Sequence, residues 1–299
     1  MSSIRVNPFP MPDLLAALEQ LQQQTATTTL ELATGSTINK PSDNPSGAAE
    51  VIRLNASSSQ SDSFQSTIGS INGQFSTADS TLSSVVTSLQ SALSLGVEAA
   101  GGTLSSTDLA DIATELTSIQ SQVLSLANTS YQGQYIFAGT ATAQPFVLNP
   151  AQPSGVSYNG NTDTNKVTIG AGYQLQINLP GSQVFGLGST GGDVFQSIHD
   201  LITAVQNNTG IGTAVNEVDA ALGNVTTQRT FYDDAMNQAQ SQQTYLNSQS
   251  LSLSQQLNTV TAANVATLAS QLESEQTAQT ATLEAIGNTP QKSLFDYLS

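Results

Sequence analysis

The sequence predicts a mainly α fold: a long antiparallel helical coiled-coil bundle formed by the N- and C-terminal regions, with a small inserted β domain. Three observations lead there. Phe64, Ile68, Ile71, Phe75, Ala78, Leu82, Val85, Leu89 and Ala92 recur in alternating steps of four and three, the spacing of a helix seam buried against other helices. A second such row lies in the other half of the chain, from Ile211, Val215, Val218, Leu222, Val225, Arg229, Tyr232, Met236 and Ala239 through Gln243, Leu246, Ser250, Leu253 and Leu257 to Val260. Between the two rows the period changes to short Val-, Ile- and Tyr-bearing runs bounded by Gly, Pro and Asn, the mark of strands.

Taken in order, Met1 to Pro12 carries Pro8, Pro10 and Pro12 and is expected to be extended, because proline cannot continue a helix. A helix is expected from Asp13, whose carboxylate suits the positive end of the helix. Its seam reads Leu14, Leu18, Leu21, Thr25, Thr28, Leu32; the two threonines make it too weak to hold alone. Gly35 to Gly47 is dense in turn residues, with Pro41, Pro45, Asn39, Ser42, Asp43 and Asn44. Helix resumes near Ala48, runs through the strong seam, and stops near Gly101-Gly102. Ser105 or Ser106 begins the next helix, with Asp108 and Asp111 in its first turn and a seam of Leu109, Ile112, Leu116, Ile119, Val123 and Leu126. The short connection makes it antiparallel to the long helix.

The strand candidates are Tyr135-Ile136-Phe137, Val156-Ser157-Tyr158, Val167-Thr168-Ile169 and Leu175 to Leu179, with Asn159-Gly160-Asn161 as a hairpin turn. Helix returns at Asp193 with Val194, Ile198, Leu201 and Val205. The second strong seam follows. A last helix carries Val265, Leu268, Leu272 and Ile286, with Gln, Thr and Glu at other inward positions. The domains expected are terminal helices at 1–47 and 262–299, a bundle core at 48–130 and 193–261, and a β insert at 131–192. Strong helices pair with strong. The weak ends are too polar to repay their ordering alone, and they are expected to order on packing with other subunits.

Composition narrows the function. Six Lys and Arg against 22 Asp and Glu give a net charge of −16, which opposes nucleic-acid phosphates and anionic membrane surfaces. Charged residues make up only 9% and hydrophobic residues 38%, both low for a globular enzyme. With no cysteine there is neither disulfide nor thiolate site. No apolar run reaches the ~18 residues of a membrane span, and the proline-bearing start does not read as a Sec-type signal peptide.

Several motifs suggest chemistry and are better read as structure. Gly186-Leu187-Gly188-Ser189-Thr190-Gly191 matches a dinucleotide fingerprint, but it leads to more helix rather than to a second βαβ strand, and Asp193 would repel a pyrophosphate. Asn159, Asn161, Asp163 and Asn165 alternate like cation ligands, with one carboxylate too few for a tight Ca²⁺ site. His199 is the single histidine and has no triad or metal partner at a usable spacing, so it reads as a helix-surface residue. Glu273 and Glu275 face different sides of a helix and read as a solvated face. Arg53 and Arg229 are isolated cations, Arg229 being expected to pair inside the bundle with an acid such as Asp62 or Glu50. No catalytic, cofactor or metal residue is expected.

The residues from Leu32 to Ala49, Leu-Ala-Thr-Gly-Ser-Thr-Ile-Asn-Lys-Pro-Ser-Asp-Asn-Pro-Ser-Gly-Ala-Ala, resemble the signature of the bacterial flagellin family. Tyr135 to Thr140 followed by Pro145-Phe146 is similar to the family's junction between helical core and β domain. Val156 to Gly160 and Val184-Phe185-Gly186 resemble the β domain of its hook–filament junction branch, and the ending Ser293 to Leu298 is similar to that branch more than to its filament proteins. Thr37 stands where a basic residue is common, and the proline-rich start departs from the usual short helical opening. The resemblance implies a flagellar structural protein, exported unfolded without a cleaved signal peptide and placed outside the cell. Its implied partners are other axial proteins, copies of itself, and an export chaperone for the C-terminal segment; it implies no cofactor, no nucleic acid and no membrane insertion. The assembly interface expected comprises Leu14, Leu18, Leu21 and Leu32 near one end, and Leu268, Leu272, Ile286, Leu294, Phe295, Tyr297 and Leu298 near the other.

Overall fold

The structure, a computed structural model, describes residues 11–188 and 192–288. Its helices are α1 (Met11–Thr34), α2 (Pro45–Ala100), α3 (Ser106–Ala127), the single turn α4 (Gly181–Val184), α5 (Val194–Gln206), α6 (Ile211–Thr261) and α7 (Val265–Asn288). Six short strands lie between α3 and α4: β1 (Ser130–Tyr131), β2 (Gln134–Tyr135), β3 (Phe146–Leu148), β4 (Val156–Tyr158), β5 (Lys166–Gly170) and β6 (Tyr173–Gln176). The chain divides into two compact units, one of residues up to 60 and from 250, the other spanning Ser61–Gln249.

The larger unit is built on the α2 seam. Ile68, Ile71, Phe75, Ala78, Leu82, Val85, Leu89 and Ala92 are all buried, and Phe64 packs half-buried beside them. Their partners on α6 include Val218, Val225, Tyr232, Ala239 and Leu246. The two helices run antiparallel: the Ser61 hydroxyl donates to Gln249 Oε1 at 3.4 Å, Phe75 meets Tyr232 edge-on at 6.1 Å, and Arg229 Nη2 lies 2.8 Å from Asp79 Oδ1. Arg229 thus pairs with Asp79 rather than with Asp62 or Glu50. Asp79 lies one turn beyond Phe75, beside the seam residue Ala78 and level with Arg229 in this register, whereas Glu50 is taken by Arg53 one turn along its own helix (Nε–Oε2 2.9 Å). Neither arginine is isolated.

Ser105 caps α3 with a complete capping box: its hydroxyl oxygen accepts from the Asp108 amide, and Asp108 accepts from the Ser105 amide at 2.9 Å. This exchange satisfies two otherwise orphan donors and holds the Asp108 carboxyl below the usual carboxylate range. The buried face of α3, from Leu109 to Ala127, packs chiefly on α5.

The strand region departs most from expectation. It forms three separate antiparallel hairpins, β1–β2, β3–β4 and β5–β6, not one sheet. Tyr135 ends β2, while Ile136 and Phe137 leave the strand and enter the core. Asn159-Gly160-Asn161 is not a hairpin turn, because β4 pairs with β3 instead of β5, through Phe146↔Tyr158 and Leu148↔Val156. Asn128, the C-cap of α3, decides this. Its side chain accepts from the Phe146 amide at 3.0 Å and donates to the Phe146 carbonyl at 2.9 Å, which fixes β3 at the end of the helix. A lone two-stranded hairpin is marginal in water. Here Phe146 and Phe185 meet each other and Phe195 of α5, with Phe137 edge-on to Phe185 and Tyr158 tilted against Phe146, at ring separations of 5.0 to 5.6 Å. The strand region therefore shares its core with the helices.

Candidate assembly interface

In the smaller unit α1 packs against α7. On α1 the inward positions are Leu14, Leu18, Leu21, Thr25, Thr28 and Leu32, of which only Thr28 is fully buried. On α7 they are Leu268, Leu272, Glu275, Gln279, Thr282 and Ile286, with Leu268 and Glu275 buried. Val265 is 56% exposed and does not face inward; it opens the helix, three residues ahead of the first position that reaches α1. Leu294, Phe295, Tyr297 and Leu298 lie outside the described residues, as do Met1 to Pro10.

Glu275 overturns its reading as a solvated carboxylate. It is 8% exposed, and its Oε1 accepts from the Thr28 hydroxyl and from Gln271 Nε2, each at 3.0 Å. The signal was present in the sequence: a step of four and then of three from Leu268 lands on Glu275. Outside this seam the pair leaves Leu15, Leu30, Val265 and Leu283 between 40% and 56% exposed.

The turn between α1 and α2 explains its own residues. Gly35 adopts φ +67°, a backbone that strains any side chain. Asp43 Oδ2 accepts from the amides of Asn39 and Lys40 at 3.0 and 2.7 Å, and Asn39 Nδ2 donates to the Ser36 carbonyl at 2.8 Å. Asn44 Oδ1 accepts from the Gly47 amide at 3.0 Å, an N-cap on α2. A Cβ on Gly47 would stand 2.6 Å from Ile38 Cδ1 and 2.7 Å from Asn44 Nδ2, so the cap needs glycine there. This turn grips the joint between α6 and α7. The Thr37 amide donates to the Thr261 carbonyl at 2.8 Å, the Ala263 amide to the Gly35 carbonyl at 3.0 Å, and the Thr37 hydroxyl to the Thr261 carbonyl at 3.2 Å.

The remaining motifs are structural. Asp193 caps α5 by accepting from the Phe195 and Gln196 amides at 3.0 Å, and it also accepts from the Gly188 amide at 3.2 Å. A carboxylate thus occupies the amides that a dinucleotide phosphate would use; Ser189 to Gly191 lie outside the described residues. Burial pushes the Asp193 carboxyl up, against the pull of those backbone donors. Asn161 binds Thr140 through both amide atoms, and the Thr140 hydroxyl donates to Asp163 at 3.3 Å, so this run pins a connection. Among the described residues no cluster of three metal-ligating side chains exists. His199 is half-buried on α5 near Gly155.

Residues 12–142, which contain both the α1–α2 turn and the first hairpin, match a family model described as the bacterial flagellin N-terminal helical region. Over those residues the chain is similar to a flagellin-type helical region. The flagellar hook-associated protein 3 of Salmonella typhimurium is 33% identical over 157 residues, covering 52% of this chain and 48% of that protein. The chain thus aligns with about half the length of this curated relative. Two solved structures share the fold. A structure described as a flagellar hook-associated protein from Vibrio parahaemolyticus superposes with a TM-score of 0.67 at 22% identity, over 73% of this chain and 99% of that one. FlgL of Bacillus cereus gives 0.59 at 24% identity, over 69% and 99%. The residues that resemble the flagellin signature are those that build the α2 cap and grip the joint before α7.

Proposed function

We propose that this chain is a structural subunit of the bacterial flagellum that joins hook to filament by packing its terminal helices against neighbouring axial subunits and copies of itself. One observation carries the reading. The α1–α7 pair has a seam of half-buried leucines, and it presents Leu15, Leu30, Val265 and Leu283 to solvent. A two-helix pair is marginal alone, and exposed apolar side chains on it are what further helices would cover. The work done is burial of apolar surface, with no bond made or broken. The name of the Salmonella relative, hook-associated protein 3, supports this place in the flagellum. Export would proceed outward without a cleaved signal peptide, with a chaperone holding the C-terminal helix until assembly.

Chromosomal deletion tests the proposal. Loss of a junction subunit leaves hooks bare while filament protein spills into the medium, and restoring the gene restores filaments. Bare hooks with no filament protein in the medium would make the chain a filament flagellin instead, and intact filaments would overturn the flagellar reading altogether.

A further inference from the structure

The seam of the terminal pair is interrupted at one level by polar side chains. Thr25 and Thr28 on α1 face this layer, with Glu275 on α7 and Gln271 one turn before it. Glu275 Oε1 receives two donors, while its Oε2 and the Thr25 hydroxyl are buried without a hydrogen-bond partner. An incompletely satisfied polar layer weakens a helix pair relative to leucine. Such a position is kept in coiled coils for what it forbids.

What it forbids here can be read from the spacing. Away from the layer α1 carries Leu14, Leu18, Leu21 and Leu32, and α7 carries Leu268, Leu272 and Ile286 with Gln279 and Thr282 between; this heptad spacing by itself does not forbid sliding by seven residues. In the observed register Thr28 meets Glu275. A slide by one heptad brings Glu275 opposite Leu21 in one direction. In the other it comes opposite Gly35, where α1 has ended. Neither supplies a hydroxyl donor to the carboxylate. Two copies of α7 paired at this level would set Glu275 against a second carboxylate, and two copies of α1 would bring no acceptor carboxylate to Thr28.

We infer that the Thr25–Thr28–Gln271–Glu275 layer is the specificity determinant of the terminal helices: it selects α1 with α7, in one register, over slipped pairs and over like-with-like pairing between copies. This deepens the assembly proposal by naming which helix each terminal helix must meet, and it rests on that reading only for its biological use.

The chain has no cysteine, so spin labels can be placed cleanly at Leu15→Cys and Leu283→Cys, both about half exposed. Pulsed electron–electron distance measurements on the full-length protein should give one narrow separation. In Glu275→Leu a second separation should appear, the one produced by an axial slide of about 10 Å, the rise of seven helical residues. Label at Leu283→Cys alone should then report contacts between copies that the parent protein lacks. Glu275→Gln, which keeps an acceptor oxygen for Thr28, should retain the single separation. Leu272→Ala, which loosens the seam away from the layer, should speed amide exchange in α1 and α7 without adding a second separation. A broad distribution in the parent protein, or one unchanged separation in Glu275→Leu, overturns the inference. Hook–filament attachment is scored separately with the exposed-face variants below, so failure of the assembly reading is distinguishable from failure of register selection.

Discussion

The exposed apolar face of the terminal pair should be dispensable for the subunit's own fold and indispensable for its assembly. Consider Leu15→Ser, Leu30→Ser, Val265→Ser and Leu283→Ser combined. Each parent side chain is 40% to 56% exposed, so roughly half of its burial is still to be gained. Full burial of such a side chain contributes about 1.5–3 kcal/mol, leaving about 1 kcal/mol per residue for assembly. Four such residues amount to about 4 kcal/mol, or about a thousandfold in association at 1.4 kcal/mol per decade. Ordering costs and non-additivity reduce this, so the loss should be at least about a hundredfold. Complementation of a deletion strain, scored by swimming and by filaments retained after shearing, reads the assembly side. Urea unfolding reads the fold, where surface substitutions should stay within about 0.5 kcal/mol each. A combined variant that retains filaments like the parent would refute the reasoning, because the face would then be covered by nothing. Leu268→Ala, at a buried seam position, makes the contrast: it should loosen α1 and α7 even before assembly.

Three further substitutions probe separate parts of the structure. Gly47→Ala gains helix propensity of about 1 kcal/mol but crowds Ile38 and the capping Asn44; loss of the cap and overpacking should outweigh the gain, and faster amide exchange in the first turn of α2 checks it. Tyr232→Phe removes a fully buried hydroxyl without a hydrogen-bond partner, whose ionisation burial drives far upward; the variant should be more stable by about 1 kcal/mol, and a comparable loss in urea unfolding would show that the hydroxyl bonds the nearby Leu179 backbone. For Asp193→Asn the cap acceptor survives while the charge goes. Because the folded-state carboxyl of Asp193 is raised, its charge opposes folding above that raised value and ceases to as pH falls through it. The Asn variant should therefore lead the parent at neutral pH, the lead shrinking as pH falls through the raised value and vanishing once pH is below the ordinary carboxylate range; a lead that widens on acidification would contradict this.

The helices were legible in the sequence because their signals are local. The α2 row is buried as the four-three spacing requires, and Ser105 with Asp108 announced the start of α3. Pairing across distance was less legible. Strands β4 and β5 are separated by a turn-like Asn-Gly-Asn, yet β4 pairs backward with β3 because Asn128, eighteen residues before Phe146, fixes that strand. Arg229 was placed inward by its period, but the choice of Asp79 depends on the antiparallel register of two long helices, which no local spacing encodes. Glu275 was missed for another reason: its residue type argues for solvent while its position argues for the seam, and position prevailed because Thr28 could supply a hydroxyl.

The main-chain bonds from Gly35 and Thr37 to Ala263 and Thr261 tie both tails at their roots. They join amides to carbonyls rather than side chain to side chain. Tension arriving along α1 cannot be taken up by that tail alone, since the clasp hands part of it to the other before the joint yields. Were the chain to carry load in the assembly proposed above, two strands fastened together at the root would behave as a rope rather than as two threads.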